Sequence, residues 1–194
     1  MRTISLIVLA AALAVAPQPA AGQFVEVSSG LSFGVGVGVL SLDGSDFDGV
    51  GSGPSASGAV RYTTLSGLTF GVRGTVSRHD VETFVADLTL VGVNGEFRYS
   101  VRELGRRSTP FVALGVGWVR QSTPEPDNDR VANGLRFGAE GGIQIQLGGS
   151  IYFEGAVEFA TLRFKDTVLR GKRIPGTDSD GRLIGLRLGL LLLP

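Results

Sequence analysis

Beyond residue 30 apolar and small residues alternate along the chain. In LSFGVGVGVL (31–40), Leu31, Phe33, Val35, Val37 and Val39 are apolar while Ser32, Gly34, Gly36 and Gly38 are small. That period of two predicts a strand with one greasy and one slim face. Further strands are predicted at 55–64, 67–78, 84–100, 110–121, 134–147, 150–164 and 182–193. In the fourth strand Leu88 and Leu90 share one parity and Val91, Val93, Phe97 and Tyr99 the other, so a bulge is expected near Leu90 and Val91.

The connections alternate as well. Those after strands two, four and six are short (66–68, 102–110, 147–150), while those after strands one, five and seven are longer and polar (42–54, 122–133, 165–181) and the one after strand three, RHDVET (78–83), is shorter. Amphipathic strands joined by short turns at one end and longer loops at the other predict an all-β fold, an eight-stranded antiparallel up-and-down transmembrane β-barrel. A soluble ligand-binding barrel shares the alternation with its faces inverted, charged parity outside and apolar parity inside. The glycines on the charged parity favour the membrane version, because a cramped lumen needs small residues and a water-facing surface does not.

The charges test that choice. With each strand's bulky apolar parity outside, Arg61, Arg73, Glu96, Arg98, Glu140, Glu154, Glu158 and Arg187 lie inside, cations facing carboxylates in a lumen charge network. An arginine on the lipid face at mid-bilayer costs about 2–4 kcal/mol, whereas a partnered lumen charge avoids most of that. Tyr62, Phe97 and Tyr99 then fall near one rim and Trp118, Phe159 and Phe164 toward the other, as interfacial aromatics. Glu154 and Glu158, in IYFEGAVEFA (151–160), invite a reading as a catalytic pair. Four rises along a strand set their α-carbons ~13 Å apart, too wide to flank one scissile bond, so they read as two levels of interior ion pairing.

Composition adds the address and several exclusions. The 194 residues are 43% hydrophobic, carry a formal net charge of zero, and include 30 glycines and no cysteine. Zero net charge gives no electrostatic case for nucleic acid, and the missing thiols exclude disulfides, thiolate metal sites and cysteine nucleophiles. MRTISLIVLAAALAVAPQPAAG (1–22) has Arg2, an apolar core, then Pro17, Pro19 and small residues. It reads as a cleaved signal peptide, leaving 23–194 as one barrel domain.

The stretches PFVALGVGW (110–118) and GLRFGAEGGIQIQL (134–147) resemble the fifth and sixth strands of the OmpA-like and opacity-like small outer-membrane β-barrel proteins. The resemblance extends as a pattern over the whole mature chain. It implies an eight-stranded antiparallel barrel in a Gram-negative outer membrane and no single activity; a lumen filled by side chains and polar loops outside favour a structural or surface-interaction role. The family also contains lipid A deacylases that use a Ser and a His near a barrel rim. Ser77 and the sole histidine, His79, share a strand parity, but no motif accompanies them, and His79 reads as a solvated loop residue.

Remaining signals are weaker. Asp46, Asp48 and Gly49 in DGSDFDG and the related TDSDG (177–181) lack the ligands of a calcium loop and read as turn chemistry. GVGVG (34–38) has neither the spacing nor the following helix of a dinucleotide site. Arg102, Arg106 and Arg107 form a basic turn near the inner rim, suited to solvent or anionic headgroups. Outer-membrane lipids, lipopolysaccharide and, during insertion, the barrel-assembly machinery are the expected partners of a monomer with no cofactor, metal or catalytic residue. A narrow channel, a conduit for hydrophobic solutes and a lipid-modifying rim enzyme are the alternatives.

Overall fold

The computed structural model describes residues 29–81, 87–101, 107–123, 130–169 and 171–193. The expected signal peptide at 1–22 and Arg102 and Arg106 lie outside them. Eight long strands run as β1 (Gly30–Asp43), β2 (Gly53–Thr63), β3 (Leu68–His79), β4 (Leu88–Ser100), β5 (Ser108–Thr123), β6 (Arg130–Gly148), β7 (Ile151–Leu169) and β9 (Ser179–Leu192). A short β8 (Lys172–Ile174) folds back on the end of β7. Each long strand pairs antiparallel with its sequence neighbour, and β9 pairs with both β7 and β1, which closes the sheet into a barrel. Closure leaves no open edge along the long strands.

The alternation seen in the sequence becomes two faces of the wall. Val35 and Val37 are each 66% exposed outward, while Arg61, Arg73 and Arg98 point inward and are buried. Glycine provides interior room. A Cβ on Gly71 would lie 2.7 Å from Cγ of Arg61, and one on Gly142 2.6 Å from the ring of Phe111. On β1 the small parity also borders long interior side chains: a Cβ on Gly34 would lie 3.3 Å from an Arg61 guanidinium nitrogen and one on Gly36 3.4 Å from Cδ of Arg187.

Near the long-loop end the polarity of the two faces reverses. Leu40, Leu42, Phe47, Leu88, Leu90, Val119, Leu162, Phe164 and Leu183 form a buried cluster inside the barrel, while Asp43, Arg78, Arg120, Arg163, Lys165 and Arg182 are exposed outside it. The wall there resembles that of a water-soluble barrel, apolar within and polar without. The inverted-face alternative therefore describes this end, and the charged-lumen reading describes the rest.

The reversal explains where sequence-based expectations fail. No bulge occurs near Leu90 and Val91; β4 stays in register with β3 from Leu68 opposite Tyr99 to His79 opposite Leu88. Leu88 and Leu90 are inward because they belong to the apolar cluster. Phe164, expected at a lipid boundary, is 1% exposed and packs against Phe47 at 6.0 Å. It shares the parity of Glu154 and Glu158, and being aromatic does not change the direction of its Cβ. The same inward packing lets β6 and β7 continue into segments expected to be loops.

Candidate functional site in the barrel lumen

Side chains from six strands converge below the apolar cluster. Arg61 on β2 bonds Glu96 on β4 and lies 3.4 Å from Glu154 on β7. Arg73 on β3 reaches Glu96 at 2.6 Å and also bonds Glu140 on β6. Arg98 on β4 meets Glu154 at 2.5 Å and Glu140 at 3.4 Å. Arg187 on β9 bridges the same two carboxylates, at 2.5 Å to Glu140 and 2.7 Å to Glu154. Gln144 donates to Glu154 at 2.7 Å, and the Arg98 guanidinium lies 3.7 Å above the Phe111 ring centre.

Glu140 and Glu158 stand directly opposite each other in the β6–β7 register, an arrangement that like charges disfavour. Their partners offset it. Glu140 is shared by Arg73, Arg98 and Arg187, while Glu158 pairs with Arg136. Arg136 was absent from the charges inferred from the sequence, although it shares the parity of Glu140 in GLRFGAE and the parity rule identifies it. Glu154 and Glu158 hold different arginines, so the two carboxylates serve separate ion-pair groups.

Little free space is left beside the charge network. Cavities beside the network measure about 20 Å³, against Arg73, Asn94 and Glu158, and about 10 Å³, against Ser57, Arg61 and Arg187. Each is on the scale of one water molecule.

Outside the barrel Tyr62, Phe97, Tyr99, Trp118 and Phe159 are all 42–57% exposed. Phe97 packs on Phe70 with ring centres 5.3 Å apart. His79 is not a solvated loop residue: it ends β3 and is fully buried, its Nε2 2.9 Å from Ser77 Oγ and its Nδ1 3.0 Å from the Gly51 carbonyl oxygen. A hydrogen on Nδ1 donated to that carbonyl leaves Nε2 to accept from Ser77. Both side chains face inward, away from any lipid outside the wall. Asp46 accepts a bond from the Asp180 amide at 2.9 Å, so the two acidic segments brace each other.

The family model of the outer membrane protein beta-barrel domain matches residues 6–190. The chain belongs to that family. It is an outer-membrane protein, and the apolar outer face is its lipid-facing surface. Among solved structures, Neisserial surface protein A is similar with a TM-score of 0.67 and 15% identity, over 86% of this chain and 98% of that one. Ail of Yersinia pestis shows a TM-score of 0.48 and 14% identity, covering 84% and 96% respectively. The N-terminal barrel of Pseudomonas aeruginosa OprF gives 0.45 and 12%, over 85% and 100%. No curated protein matches the chain.

Membrane placement accounts for the face reversal. On β1 the outward residues from Leu31 to Val39 are apolar, and eight rises of about 3.3 Å at a tilt near 40° give ~20 Å, close to the apolar band of such barrels. Outward charge begins beyond that height, where the wall leaves the hydrocarbon. Inward residues become apolar at the same level, since that part of the barrel stands in water and needs an ordinary core.

Proposed function

We propose that this protein is a structural and surface-interaction barrel whose lumen is closed to solutes, inserted as a monomer by the barrel-assembly machinery. The observation that carries this reading is the crossing of the lumen by Arg61, Arg73, Arg98 and Arg187, tied to Glu96, Glu140 and Glu154. An eight-stranded wall encloses a space about as wide as its own side chains, and here ion pairs from opposite sides span it. The apolar cluster above adds a second seal. Loops beyond it are left to meet partners at the cell surface.

This reading predicts that purified wild-type protein in planar bilayers produces no steady conductance steps. Stable open steps at neutral pH and moderate voltage would replace it with the channel alternative. The rim-enzyme alternative draws no support from Ser77 and His79, whose contact is enclosed by the wall. Ser77→Ala is predicted to leave outer-membrane lipid composition unchanged, as read by mass spectrometry of extracted lipids.

A further inference from the structure

The charges inside the lumen do not cancel. Arg136 and Glu158 pair with each other. That leaves Arg61, Arg73, Arg98 and Arg187 facing Glu96, Glu140 and Glu154 at this level, among the described residues. Four cations meet three carboxylates, and each of the seven side chains is at most 14% exposed. Arginine stays protonated, so a glutamate that took up a proton would enlarge the excess rather than remove it. A buried charge with no counter-charge is strongly unfavourable.

Two of these guanidiniums also carry spare donors. Nε of Arg73 and Nε of Arg187 are both buried and have no hydrogen-bond acceptor among the described residues. Buried donors of this kind are normally satisfied. The two small cavities beside the network differ in the charge around them. The one of about 20 Å³ has Arg73 and Arg136 against three carboxylates, Glu96, Glu140 and Glu158. The one of about 10 Å³ has three arginines, Arg61, Arg73 and Arg187, against Glu154 alone, with Ser57 in the same wall. A Cβ on Gly36 would lie 3.1 Å from Ser57 Oγ and 3.4 Å from Cδ of Arg187, so the hydroxyl and that arginine are neighbours.

We infer that the second cavity is a binding site for one small monovalent anion of halide type, with chloride as its ordinary occupant. Arg73 and Arg187 offer it charge and N–H donors, and the Ser57 hydroxyl donates as well. The ion is the fourth negative charge of the network, and it ties β2, β3 and β9 together from within. Gly34, Ala59 and Gly189 keep the pocket open, while its size, on the scale of one water molecule, excludes sulfate, phosphate and organic acids. Chloride is slightly larger than water, and the flexible ends of the arginines give the difference. The acid-rich cavity beside Glu158 is left to water. This site does not rest on the lumen being closed, since a conducting barrel would keep the same excess of arginine.

Bromide scatters anomalously and replaces chloride, so full-length wild-type protein would be crystallised from bromide. The expected result is a peak inside the barrel in hydrogen-bonding contact with Ser57 Oγ and the Arg187 guanidinium; the lack of a peak there overturns the proposal. In lipid vesicles at constant ionic strength, replacing gluconate by chloride is expected to lower the unfolding equilibrium constant about tenfold for each tenfold rise in chloride once the site fills, as one-site binding requires. Equal stability in the two salts overturns the proposal. Arg187→Gln removes the excess cation and is expected to abolish both the chloride dependence and the bromide peak, and a variant that keeps both overturns the proposal. If Arg187→Gln does not fold, Ser57→Val, which removes the hydroxyl donor, decides by the same two readouts.

Discussion

Glu154 is 2% exposed and holds three arginines, Arg61, Arg98 and Arg187, together with Gln144. Neutralising it leaves several buried guanidiniums short of charge, and breaking such pairing costs about 3–5 kcal/mol. Glu154→Gln is therefore predicted to lower the unfolding free energy by that amount in a urea titration in lipid vesicles. Glu158→Gln is predicted to cost clearly less, because Glu158 is only partly buried and, among the described residues, its ion pair is with Arg136. Gly142→Ala tests the fit of the wall, since its methyl would run into the Gly155 carbonyl oxygen on β7 and lie 2.6 Å from the Phe111 ring beneath Arg98. Overpacking of this kind costs about 1–3 kcal/mol, read by the same titration. Parity made the charged positions legible in the sequence, Arg136 included once the rule is applied without exception. The partners were not legible, because they depend on which strands face each other across the lumen.

At the scale of the strand, one alternation serves two solvents. Along β1 the outward positions change from Val37 to Asp43, and the inward ones from Gly34 and Gly36 to Leu40 and Leu42. Val37→Arg is predicted to destabilise the folded barrel by about 2–4 kcal/mol, whereas Asp43→Arg, above the apolar band, costs less than about 1 kcal/mol. Urea unfolding of both variants in the same vesicles checks the contrast. The strands themselves could be read from period two, but the rule that bulky residues face outward holds only within the hydrocarbon. Leu88, Leu90 and Phe164 lie beyond it, which is why an unneeded bulge and a misplaced boundary aromatic were expected there. His79 is a related case: its place beside a predicted loop suggests solvent, yet the strand continues and turns it inward.

The whole molecule is a closed sheet with a paired-charge interior, an apolar cluster above it and outward residues that turn charged beyond the apolar band. The chain has no cysteine, so single cysteines introduced along β7 can be spin-labelled without background, and their collisions with oxygen and with an aqueous nickel complex separate lipid from water and from packed interior. Labels at Gly155, Val157 and Phe159 are predicted to favour oxygen and those at Arg163 and Lys165 to favour nickel. Labels at Ala156, Ala160 and Leu162 are predicted to be sheltered from both. Nickel access at Ala156 and Ala160 would contradict the account by showing a water-filled lumen, and nickel access at Val157 and Phe159 would contradict it by placing the apolar face in water.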